Sequence, residues 1–575
     1  MKQLLQPGSC SLLLVVFFAF AGCSTQHYRR SADHEAYGVI AQKTPLVKNM
    51  DPHFTVEQTN QLSLEGLSVA EEIDAALGPD GEAERGAPIV SLEQALQIAV
   101  NHGRIYQNQK EQLYMAALGL TLARHQYTPI FSAGGAGSHN VTTVPVIDTI
   151  PDPTDPTGQR QIPVPSNRLA ETASVSANGQ TLGNMLLATG ARLSASFSSD
   201  FFRYLSGDPG TRVSSHLLGT LLQPLWRGAG YKVTMENLTQ AERNLLYALR
   251  TFTLFRKRFT VDVATAYYGV LQNRDAVRNA YVNLESSRKN ADRTRALARE
   301  GRITQADLGR LEQQELLAES QWIGALNNYK QNLDNFKIQL GLTTDARIVL
   351  DNRDLEQLKI MHPDISIDDA IKVALATRLD YQNVRDQFED AGRKIGIAAN
   401  ALRAQIDLVA SAGFDSKQEP ATRLAVPDFD RYHWNAGLNV NLPLERKAER
   451  NAYRATLITY ETTRRAFELQ ADQIKLDVRN GWRALDQAKR NYEISEIGVK
   501  IAERRVEEQN LLAELGRAKA QDQVDAQNDL VSSKNQLTQA LVAHTISRLV
   551  FWNNLGILFI KENGQWEEVA NAKSE

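Results

Sequence analysis

Asp522 and Asp525 stand three residues apart, so on a helix their carboxylates share one face, a turn from each other. Carboxylates paired in this way can hold cations. At the start of a helix they can instead accept its free amides and answer the positive end of its dipole. They follow Gly516, Arg517 and Lys519, and an earlier stretch repeats the arrangement, with Gly301 and Arg302 followed by Asp307. Asp307 is open to the same two readings. Arg293, Arg295, Arg299 and Arg302 gather at the first stretch. They could pair with the acids of the second stretch or form a solvated face. No other spacing suits a catalyst. The chain has no His-Glu-x-x-His, no phosphate-binding Gly-x-x-x-x-Gly-Lys, no Cys-His metal spacing and no nucleophile elbow. His102, His125 and His544 stand alone and read as surface or packing residues. The expectation is a protein that is not an enzyme and uses no cofactor or metal.

The elements that position these residues are written twice. Gly301, Asp307 and Leu340-Gly341 recur 215 residues later as Gly516, Asp522 and Leu555-Gly556, and upstream Asp262-Val263 recurs as Asp477-Val478. Ser91-Leu92-Glu93-Gln94-Ala95 and Tyr106-Gln107-Asn108 answer Ser366-Ile367-Asp368-Asp369-Ala370 and Tyr381-Gln382-Asn383 at an offset of 275, and Pro224-Leu225 answers Pro443-Leu444 at 219. Two similar halves that stack on each other are expected. The falling offset places extra residues in the first half, mostly between Asn140 and Pro224.

Proline is absent from Leu225 to His362 and from Leu444 onward, and both stretches are rich in strong helix formers. The pattern from Tyr231 to Glu300 predicts some 70 helical residues, ~105 Å long at 1.5 Å each. Trp322, Leu326, Tyr329, Leu333, Phe336 and Leu340 form a heptad seam, read as structural. Ser91 with Gln94 predicts a capped helix from Leu92 to about His125, weakened at Gly103 and Gly119. Between the helices the period changes to two. Val175 and Ala177, then Leu193, Ala195 and Phe197, alternate with serines; in the second half Ile406, Leu408, Ala410 and Ala412 recur at every second residue, and Leu438, Val440 and Leu442 alternate with Asn439 and Asn441. Each run is about ten residues, the length of a tilted membrane strand, and equally suits a soluble half-buried hairpin. The six prolines from Pro145 to Pro165 predict a long external loop, and Gly183 to Gly190 a separation between strands. Four strands in the first half and two in the second would account for the offset.

A net charge of −3 gives no reason to expect nucleic acid. Lys2, an apolar run from Leu12 to Ala21 and Phe20-Ala21-Gly22-Cys23 resemble a bacterial lipoprotein signal. That resemblance implies cleavage before Cys23, acylation of its thiol and, with Ser24 next, sorting to the outer membrane. The expected organisation is a signal peptide at 1–22, a lipidated tether at 23–89, one repeat at 90–344, a second at 345–560 and a tail at 561–575.

Pro224-Leu225-Trp226-Arg227-Gly228, Pro443-Leu444 and the paired Gly/Asp stretches resemble the TolC-like outer membrane efflux family over about residues 90 to 560. The resemblance implies a mainly α fold with a membrane β region. Its plan is a duplicated helix–strand–strand–helix, with long periplasmic helical hairpins in a trimeric α-barrel and a shared β-barrel. It implies a lipid-anchored outer membrane conduit that works with a periplasmic adaptor and an inner-membrane pump of RND, ABC or MFS type. Gly301 and Gly516 would turn the hairpins, flanked by Arg302, Arg517 and Lys519. Asp522, Asp525 and Asp307 would ring the pore constriction. Efflux members can carry a Tyr and an Arg where this chain has Ala513 and Ala518, so that gate network is not carried over. Cargo is not specified: drugs, metals or, in type I secretion, proteins. A reading of another class is a lipid-tethered periplasmic coiled-coil scaffold.

Overall fold

The computed structural model describes residues 24–57, 64, 66–151, 153–157, 159–206, 211–301, 303–417, 426–515, 517 and 519–567. The elements follow in chain order: α1 (Thr25–Lys43), β1 (Ile89–Val90), α2 (Leu92–His102), α3 (Arg104–His125), β2 (Ile130–Pro151), β3 (Gln161–Leu186), β4 (Arg192–Tyr204), β5 (Thr211–Pro224), α4 (Glu236–Arg299), α5 (Gln305–Leu340), β6 (Val349–Leu350), α6 (Ile367–Thr377), α7 (Leu379–Ala401), β7 (Gln405–Ser416), β8 (Pro427–Asn441), α8 (Lys447–Glu514) and α9 (Ala520–Asn554). They form two compact units. One is helical, drawn from the chain up to Leu118, Asn244–Phe388 and the residues from Thr463 on. The other, Gly119–Arg243 with Glu389–Thr462, holds the large sheet.

The repeat is realised contact by contact in the helical unit. Ser91 and Ser366 cap α2 and α6 by accepting from the amides of Gln94 and Asp369. The starts of the halves pair as parallel strands, Ile89 beside Val349 and Val90 beside Leu350. Val263 and Val478 are wholly buried. The duplicated Leu-Gly ends both long hairpins: Gly341 and Gly556 adopt left-handed φ of 84° and 76°. A side chain at Gly341 would strike the carbonyl of His102 at the end of α2, and one at Gly556 would meet Thr377 at the end of α6. Only glycine serves both the turn and the close approach.

Several features depart from the sequence reading. The stretch expected to be a tether is packed structure. Ala36, Val39 and Ile40 of α1 are buried, Tyr114 donates to Asp33 at 2.5 Å, and Phe54 meets Phe252 edge-on at 5.5 Å. Arg274, itself buried, binds Glu84 at 2.9 Å and Asp74 at 3.5 Å. The heptad seam of α5 serves this segment as well as a partner helix. Phe336 packs on Tyr267, Trp322 donates to the carbonyl of Ala76 at 2.7 Å, and Tyr329 donates to Glu84 at 2.8 Å.

The helix expected from Leu92 breaks at Gly103 but not at Gly119, and the one expected from Tyr231 breaks at Met235 before α4 begins. The strands of the large sheet run from 12 to 26 residues rather than about ten. The proline-rich stretch is strand as well: β2 reaches Pro151 and β3 starts at Gln161. Prolines are tolerated there because β2 is an edge strand and the outer part of β3, before Ser174, pairs with β2 alone.

Candidate functional site

Six antiparallel strands make one sheet in the order β2-β3-β4-β5-β7-β8, four strands from the first half and two from the second. Their register sorts the alternating sequence into two faces. One row runs Phe131–Gly183–Ala195–Gly219–Ala412–Trp434 across all six strands. Two residues along, Ala133–Thr181–Phe197–Leu217–Phe414–Tyr432 lies on the same face. The opposite face carries Asn184–Ser194–Thr220–Ser411–Asn435 and Gln180–Ser198–His216–Asp415, with Leu182 and Leu218 between these rows. Side-chain pairs join strands on that face: the hydroxyls of Ser138 and Ser176 at 2.7 Å, those of Ser194 and Thr220, and the Asp415 carboxylate with the His216 ring at 2.7 Å. Among the described residues nothing covers the apolar face at its edges, with Phe131 81%, Trp434 72% and Tyr432 68% exposed. A sheet in water buries such a face against a second layer.

The first tip joins α4 to α5. Gly301 turns it with φ 75°. Thr304 then caps α5, accepting from the amide of Asp307 at 3.2 Å and donating to the Asp307 carboxylate at 2.7 Å. In the second tip Arg517 donates its amide to the carbonyl of Leu512 at 2.8 Å, and Lys519 precedes α9 without a side-chain cap. Asp522 is the third residue of α9 as Asp307 is of α5. Asp522 is exposed and Asp525 half-buried, the latter accepting from Gln521 at 2.8 Å. Cys23, Arg302, Gly516 and Ala518 lie outside the described residues.

Within the basic cluster of the first tip, Arg295 pairs inside its own hairpin. Arg295 binds Asp292 at 2.7 Å, Glu315 at 2.7 Å and Glu312 at 3.0 Å. Hydrogen bonds donated to those three acids hold its guanidinium pKa above the usual range. Polar contacts between the two hairpins among the described residues include Gln314 with Asn528 at 3.0 Å, Asn279 with Asn535 at 2.8 Å, and Thr538 with Asp275 at 2.6 Å.

Some polar groups of the helical unit had no sequence signal, because their partners are far apart in the chain. Arg250 reaches Asp386 at 2.7 Å and Asn383 at 3.2 Å. Tyr267 donates to Asp354 at 2.6 Å. His544, expected at the surface or in packing, is wholly buried; neither ring nitrogen has a hydrogen-bond partner, and His362 lies 6.3 Å away between ring centroids. Burial is the main force lowering its pKa to about 4, with Arg548, His362 and Lys489 adding repulsion. Among the described residues, no helix is long and apolar enough to cross a membrane.

No protein-family model matches the sequence, and no curated protein matches it. Solved structures do. The Campylobacter jejuni CmeC outer membrane channel superposes with a TM-score of 0.56 at 13% identity, over 89% of this chain and 96% of that one. CusC gives 0.56 at 12% identity over 81% and 92%, and the open state of the Neisseria gonorrhoeae MtrE outer membrane channel 0.53 at 13% over 88% and 98%. The chain therefore has the fold of outer membrane channels: mainly helical, duplicated, with a β region.

Proposed function

We propose that the chain is one protomer of an outer membrane conduit: a passive, non-enzymatic channel that receives its cargo from an inner-membrane pump through a periplasmic adaptor. The observation that carries this reading is the two-faced sheet. An apolar face with no protein cover, backed by a face of Ser, Asn, Thr and Asp, suits lipid outside and water inside. A tethered scaffold would leave Phe131, Tyr432 and Trp434 against water. Unpaired edges cannot stand in lipid, and six strands are too few for a pore, so several copies must each supply a sector. The family resemblance implies three.

In this reading Asp522 and Asp525 face the narrow end of the passage, where three copies would stack two rings of carboxylates that attract cations. The engagement of Asp307 with Thr304 favours a capping role for Asp307. Gly301 turns the first of the hairpins that an adaptor would grip, and Cys23 would carry the lipid.

The purified protein should conduct ions across a planar bilayer and remain dependent on detergent after delipidation. A stable monomer that conducts nothing and becomes soluble would overturn the proposal. Cys23→Ser should abolish acyl labelling in cells, and labelling that persists elsewhere would remove the anchor.

A further inference from the structure

The family plan to which this chain is similar gives two strands to each half, four in all. The sheet here has six. The additional pair has two possible places: a hairpin lying outside the barrel, or part of its wall. A hairpin outside the wall would be joined to the sheet loosely and would owe nothing to its inside–outside pattern.

The geometry shows the opposite on both counts. β3 pairs with β4 without a break from Ser174–Tyr204 to Leu186–Arg192, a ladder as long as that between β4 and β5. The two faces continue through the pair in phase. Phe131 ends the apolar row that Trp434 ends on the other edge, and its ring lies over Gly183, 3.1 Å from where a Cβ would sit. An aromatic side chain covering a strand glycine is a device of barrel sheets. On the polar face Ser138 bonds Ser176, and Asn178 accepts from the amide of Ala136 at 3.0 Å.

The direction of the edges fits as well. Every neighbouring pair of the six strands is antiparallel, so β2 and β8 run in opposite senses, and β8 of one copy and β2 of the next would meet antiparallel like every other pairing in the sheet. Both edge strands expose nearly all their side chains, as the rim of an unclosed sector would.

We propose that β2 and β3 are built into the barrel wall, so that three copies close an eighteen-stranded barrel through pairing of β8 with β2 of the next copy. The proposal rests on the conduit reading for its three copies and goes beyond it in the size of what can leave. With strands about 4.8 Å apart and tilted near 40°, twelve enclose a backbone diameter of about 24 Å and eighteen about 36 Å. The cross-section rises roughly twofold. After side chains take ~5 Å from each wall, the lumen passes from about 14 Å to about 26 Å, wide enough for large hydrated solutes or an unfolded peptide segment. The polar Ser, Asn and Gln lining suits such cargo better than an apolar one.

Two measurements on the full chain test this. Neutral polymers about 20 Å across, added from the side of the strand loops, should enter the barrel and lower the single-channel current. Their exclusion would place the lumen at twelve-strand size and overturn the proposal. Single cysteines scanned along β2 from Ala133 to Ser138, each combined with Asn435→Cys or Ala436→Cys in β8, should include pairs that oxidise to covalent dimers and trimers in intact membranes. If no pair cross-links, β2 is not the contact edge. Current with neither polymer entry nor cross-links defeats the wall assignment alone, whereas a protein without current defeats the conduit reading on which it rests. A variant lacking residues 130–186 should, if it assembles, conduct and exclude the same polymer; continued polymer entry would contradict the proposal.

Discussion

Thr304 and Asp307 hold each other across the first turn of α5, hydroxyl to carboxylate at 2.7 Å and amide to hydroxyl at 3.2 Å. The equivalent acid of the second hairpin, Asp522, follows Lys519, which offers no such cap. The repeat has kept the position of the acid and changed its surroundings. One carboxylate is occupied by its own helix, and the other is exposed.

Thr304→Ala should therefore loosen the first tip, at a cost of about 1 kcal/mol for a lost cap. Amide exchange around residues 303–308 should speed up. Asp307→Asn should leave divalent-cation block of the channel unchanged. A clear change in block would return Asp307 to the passage.

Asp522→Ala combined with Asp525→Ala should raise single-channel conductance or weaken block by divalent cations. The measurement is current against added Mg²⁺ or Ca²⁺ on both sides of the bilayer. If conductance and block both stay at wild-type levels, the two acids serve the start of α9 and nothing else.

Arg250 and Asp386 form an ion pair with both side chains 9% exposed. Asp386→Ala would leave a guanidinium buried beside Asn383 without its counter-charge. The expected loss is about 3 kcal/mol in denaturant unfolding. Asp386→Leu with Arg250→Met should recover most of it. A loss below ~1 kcal/mol for the single variant would show that water reaches the pair.

His544 makes the helical unit acid-sensitive. Its pKa in the fold is about 4, below the ordinary 6.5. Below pH 6.5 the unfolded chain takes a proton that the fold refuses, so stability falls from there to about pH 4 and is unaffected above. The whole effect is bounded at roughly 3 kcal/mol for a shift of this size. His544→Leu should flatten the stability profile between pH 4 and 6.5. A profile as steep as wild type would assign the sensitivity to other groups.

What the sequence disclosed and what it hid divide along one physical line. Features set by near neighbours were legible: the serine caps at Ser91 and Ser366, the proline-free helices, and the alternation of Leu193, Ala195 and Phe197. Features set by distant partners were not. Nothing near Asp74 announces Arg274, and nothing near Asn49 announces Ile560, so the segment before Ser91 read as a tether. The prolines from Pro145 to Pro165 misled for a related reason. A proline removes a donor, which ends a strand only where another strand needs that donor. On β2 and the outer part of β3 no third strand stands beside them among the described residues. At the tips, sequence position located Asp307 and Asp522 on matching turns, while the pairing of Arg295 within its own hairpin depends on the crossing of α4 and α5.

Asn49, at a left-handed φ of 64°, donates to the carbonyl of Ile560 at 2.7 Å and accepts from its amide at 2.9 Å, while Arg256 reaches the carbonyls of Asn49 and Lys561. This clasp spans 511 positions, so it sets an order of events. A ribosome makes Asn49 long before its partner exists, so the segment around it cannot close this clasp until Ile560 has been added. A chain stopped short of Ile560 would leave the segment around Asn49 without this hold.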